Sequence, residues 1–96
     1  MAEAVRVITN ATRAVTAGSP VAIVATQTLV RSVIVKPLEA NTARVDLGSS
    51  AAQSFPLPTG TTWSWVALRR GEVLDLNAIY IASASGTQNV AILYEQ

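Results

Sequence analysis

LVRSVIVKPLEANTARVDLG, residues 29–48, holds two extended runs around a polar break. Val30, Val33, Ile34 and Val35 load the first run, Leu29 to Lys36, with β-branched side chains. Such side chains lose χ1 freedom in a helix and pack well on a pleated surface. Pro37 has no N–H to give a ladder and ends regular pairing. Glu39, Ala40, Asn41 and Thr42 supply turn chemistry, and Asn tolerates φ > 0 and bonds its own backbone. The second run, Ala43 to Leu47, alternates strictly: Val45 and Leu47 to one side, Arg44 and Asp46 to the other. Gly48, Ser49 and Ser50 stop it. The pattern predicts a β-hairpin.

Upstream, Glu3 to Thr9 alternates as a strand, with Val5 and Val7 on one face. Asn10 to Ala17 alternates more weakly and reads as an extended segment or an arm reaching another subunit. Residues 1–14 are therefore set apart as a strand or arm, and 15–96 as one β-sandwich domain. Gly18, Ser19 and Pro20 mark a turn. Val21 to Ala25 is a short apolar strand consistent with burial on both faces. Downstream, residues 49–54 read as loop. Pro56 and Pro58 confine residues 55–60 to an edge or crossing segment, with Phe55 and Leu57 tucked under the sheet. Thr61 to Leu68 is a strand carrying Trp63, Trp65 and Ala67 on one face. Glu72 to Leu76 is a further short strand. Ile79 to Ser83 and Gln88 to Tyr94 read as a closing hairpin around Ser85, Gly86 and Thr87. About eight short antiparallel strands at 8–12-residue spacing predict an all-β domain, a small sandwich or jelly roll.

The totals fit one domain of 96 residues. Half the residues are apolar and 14% are charged, a greasy balance for so small a chain. No apolar run passes five residues, far short of a membrane helix. The first residues lack the basic, then apolar, then small order of a secretory signal. Without cysteine or histidine the chain has no disulfide and no cysteine–histidine metal staple. Burial between subunits is the remaining supplement to a small core. A net charge of +1 argues against nucleic acid as a partner. The adjacent pair Arg69 and Arg70 reads as a solvated turn flank before Gly71.

Enzymatic readings fail on inventory. The commonest general base and the best nucleophile are both missing. The single lysine, Lys36, sits beside Pro37 with no serine motif around it. The carboxylates are scattered, and Glu72 and Asp75 fall on opposite faces of a strand. No calcium-loop or phosphate-loop pattern occurs, so no cofactor or metal is expected. Two readings of Trp63 and Trp65 stay open: core aromatics with satisfied N–H groups, or an exposed pair that anchors a protein partner or stacks on a sugar. Tyr80 and Tyr94 are expected as a cross-strand pair.

Asn41-Thr42, Val45, Gly48-Ser49-Ser50, Gly71-Glu72, Asp75-Leu76, Ile79-Tyr80, Gly86, Val90 and Leu93-Tyr94 form a pattern of turns and buried positions. Over about Val15 to Glu95 this pattern resembles small virion proteins of tailed bacteriophages. Ala43 and Arg70 depart from it, where the family often has Gly and Pro, and so does the Trp63-Ser64-Trp65 insert. The resemblance implies a β-sandwich capsid decoration (cement) protein. It would be made in the host cytoplasm and sit as a homotrimer on the outer capsid surface, bound to the major capsid protein. No nucleic-acid or membrane partner is expected. Oligomer or capsid contacts are expected at Val5, Val7, Arg13, Trp63, Trp65 and Val66. A tail, fibre or baseplate module is the alternative, and a carbohydrate-binding module a second one.

Overall fold

The computed structural model describes residues 8–96. Among them the chain is all-β, with every strand pair antiparallel. The strands are β1 (Ile8–Thr16), β2 (Val21–Ala22), β3 (Leu29–Val30), β4 (Ser32–Pro37) and β5 (Val45–Gly48). The return half holds β6 (Gln53–Leu57), β7 (Trp63–Val66), β8 (Leu74–Asp75), β9 (Tyr80–Ser83) and β10 (Thr87–Glu95). One 3-10 turn, Leu76–Ala78, separates β8 from β9.

The pairing is nested. β5 pairs β6, β4 pairs β7, β3 pairs β8, β2 pairs β9 and β1 pairs β10. The chain is thus one long hairpin folded about the turn at residues 49–52. Ser49 N–H closes that turn on the Ala52 carbonyl at 2.9 Å. The long hairpin then rolls up, since β10 also pairs β4 and β9 also pairs β5. Two four-stranded sheets result, β1-β10-β4-β7 and β2-β9-β5-β6, with β3-β8 as a small third sheet. This is the jelly-roll way of laying eight antiparallel strands in two layers.

Alternation decides which residues enter the core. From the first sheet Val15, Val33, Val35, Val90 and Ile92 point inward. From the second come Val45, Leu47, Leu57 and Ile81. Ile23, Val30 and Leu76 complete a single cluster between the layers. Burying each such side chain is worth roughly 1.5–3 kcal/mol against leaving it in water.

The hairpin expected at residues 29–48 does not form. β4 and β5 lie in opposite sheets, and the connection between them crosses the end of the sandwich. Asn41 does not take positive φ; among the described residues only glycines do. Its side chain bonds another strand instead: Nδ2 donates to the Asn89 carbonyl at 2.7 Å, and Oδ1 accepts from Asn89 N–H at 2.9 Å. Buried Gln88 holds the same crossing, accepting from Thr42 N–H and donating to Thr42 Oγ1 and the Ser85 carbonyl. The crossing therefore carries ladder-like bonds without being a strand.

β9 and β10 likewise lie in opposite sheets, so they are not a hairpin. Tyr80 and Tyr94 are not cross-strand neighbours for the same reason. The Val21–Ala25 strand shortens to Val21–Ala22, although Ile23 beyond it is buried. β6 is the edge strand its prolines require, and Leu57 is buried, but Phe55 is more than half exposed. It shares the inward face of β6 with Leu57 and lines an open margin of the sandwich together with Trp63 of the opposite sheet. Of the Glu3–Thr9 run only Ile8 and Thr9 fall within the described residues; they open β1, which continues unbroken to Thr16.

Candidate functional site

Several of the charged side chains are bonded to the chain's own backbone or to each other. Asp75 Oδ1 accepts from Thr28 N–H at 3.1 Å and Asn77 N–H at 3.0 Å, fixing the 3-10 turn against β3. Glu72 accepts from Leu68 N–H. Asp46 pairs with Arg44 at 3.0 Å and Glu39 with Lys36 at 3.8 Å, both at the surface. Among the described residues no three carboxylates lie close enough to hold a metal ion.

The surface feature that stands out is the outer face of the β1-β10-β4-β7 sheet. Registers place its side chains in rows. Ile8, Glu95, Ser32 and Val66 form one row across the four strands. Asn10, Leu93, Ile34 and Ser64 form the next. Ile8 is 66% exposed and Val66 58%, with Ile34 and Leu93 also exposed. A shallow depression of about 270 Å³ lies over these residues. An outward apolar residue in an alternating strand is ordinary alone; four adjoining on one face make a patch.

A second concavity, about 210 Å³, opens at the margin where β6 and β7 are both edge strands. Leu47, Gly48, Phe55, Trp63 and Ile79 line it. Its walls are apolar, without the convergent polar groups that orient a sugar or other small ligand.

The residues singled out from sequence divide between the two faces. Val66 stands on the outer face. Trp63 and Trp65 point inward, half-buried, and pack against the core cluster. Arg13 also faces inward, and its Nε donates to the Ala22 carbonyl at 3.0 Å, tying the two sheets. Val5 and Val7 lie outside the described residues. Ile8, Ile34 and Leu93 join Val66 only in the folded chain. Their signal was present as apolar residues at outward positions of alternating strands, but register alone brings them together.

No protein-family model matches the chain, and no curated protein matches it as a relative.

Proposed function

We propose that this protein is a non-enzymatic capsid decoration protein of a tailed bacteriophage, acting as a homotrimer that binds the outer shell and stabilises it. The observation that carries the reading is the apolar outer face of Ile8, Ile34, Val66 and Leu93 on a rigid sheet. Covering these four half-exposed side chains would contribute roughly 3–6 kcal/mol per subunit. That is modest for one contact and large for a shell that repeats it many times. Closed cyclic symmetry supplies a cover for such a face without open-ended growth. The likeness of the turn and core pattern to phage virion proteins supports the same role. A jelly roll whose buried side-chain polar atoms, among the described residues, all have hydrogen-bond partners suits a structural part that needs stiffness.

The test uses shells of the parent particle, stripped of this protein. Added back, the wild-type chain is expected to sediment with the shells and to raise the temperature at which they open. Protein that stays in the supernatant, with shells opening at an unchanged temperature, would refute the reading.

A further inference from the structure

Most charges of the described chain are matched within it, but three arginines are not. Arg13 is tied to a backbone carbonyl, and Lys36 and Arg44 sit beside Glu39 and Asp46. Arg31, Arg69 and Arg70 are exposed and have no ion-pair partner among the described residues. They also come together. Ala67 N–H donates to the Arg31 carbonyl at 2.7 Å, and Arg69 follows two residues later. Three of the seven basic residues thus gather at one end of the β1-β10-β4-β7 sheet.

The segment that presents them is built. Glu72 N–H closes a turn on the Arg69 carbonyl at 3.2 Å, with Gly71 at φ +82° in its third position. A residue there needs positive φ, which glycine adopts at least cost. Glu72 folds its carboxylate back onto Leu68 N–H at 3.1 Å. Glu72 is the one carboxylate within the turn itself, and Glu95 borders Arg31 through the Arg31 N–H to Glu95 carbonyl bond of 2.7 Å. The turn holds Leu68 out at 86% exposure, with Val73 half exposed on its other flank. Leu68 thus offers an apolar side chain next to Arg69 and Arg70, and burying it against a partner would be favourable. Guanidinium groups match carboxylates with two parallel hydrogen bonds.

We infer that the Leu68–Val73 turn, with Arg31 beside it, seats on a carboxylate-bearing protein surface that has an apolar recess for Leu68. This rests on the proposed function and names the part of the molecule that meets the shell, leaving the outer sheet face for contact between copies. Charge complementarity selects the partner: the turn is cationic, so the shell site is anionic. Binding is then sensitive to salt, as rim charges govern encounter and register.

The experiment sediments stripped shells with wild type, R69E/R70E and R69Q/R70Q at low and high salt. R69E/R70E is expected to lose at least about tenfold in affinity, and R69Q/R70Q less. L68S weakens binding too, while solution mass and melting temperature of the variants stay at wild-type values. If charge reversal lowers the melting temperature, R69Q/R70Q and the salt dependence of wild type carry the decision. Wild type that ignores the shells overturns the decoration reading and this inference with it. Wild type that binds, with R69E/R70E and R69Q/R70Q binding equally well, overturns the inference alone. Tighter wild-type binding to phosphatidylglycerol vesicles than to shells overturns it in favour of a lipid surface.

Discussion

Gly48 shows how tightly one residue constrains this fold. Its φ is not positive, so freedom of conformation is not the reason for glycine. The reason is space. A Cβ there would overlap the Ala52 carbonyl oxygen and sit 2.7 Å from Gln53 Cα, both backbone atoms that cannot swing aside. The close approach accompanies the register shift at Leu47/Gly48, where Ser54 is left without a partner in β5. Gly48→Ala should therefore destabilise by about 1–3 kcal/mol, the usual cost of forcing atoms into a packed site. Urea unfolding checks this; an unchanged midpoint would mean that the turn is not the fixed pivot of the long hairpin. From sequence, Gly48 was legible only as a stop after an alternating strand. Asn41 was legible as a polar connector residue, but its bond to Asn89 was not, because no local pattern points to a partner so distant.

Among the elements, β10 has the central place. It is nine residues long and pairs β1 along its whole length and β4 from Val90 to Glu95, so that stretch has a strand on both sides. β6 and β7 are edges with one neighbour each. Hydrogen exchange should therefore be slowest at Val90 and Ile92, which are fully buried, and faster along β6 and β7. Equal protection on the edge strands would contradict the strand order. The elements themselves were largely readable. Val45 and Leu47 against Arg44 and Asp46 separated the two faces of β5, and Trp63 and Trp65 against Ser64 and Val66 those of β7, but which face of β7 turns inward stayed open until the fold placed both indoles against the core. Pro56 placed β6 at an edge. Partners were not readable, because alternation says which face a side chain takes and nothing about which strand lies alongside. Neighbouring strands suggest hairpins by default, yet the β4–β5 and β9–β10 connections both cross between layers.

Across the whole molecule, nested pairing joins Ile8, at the start of the described chain, to Glu95 near its end. The roll leaves one sheet face with four adjoining apolar side chains and one end with three arginines that have no ion-pair partner among the described residues, on a body whose buried side-chain polar atoms, among the described residues, all have hydrogen-bond partners. The outward apolar residues were visible in sequence but not as one patch, because Ile8, Ile34, Val66 and Leu93 belong to four different strands that only the register aligns. The central claim is that this face is covered by other copies of the chain. Light scattering coupled to size exclusion tests it most directly, on wild type and Ile34→Asp. The account predicts a wild-type mass near three times the 10.1 kDa chain, falling toward one chain in Ile34→Asp because a buried carboxylate has no partner there. A wild-type mass of a single chain at high concentration, or a trimer that Ile34→Asp leaves intact, would contradict it.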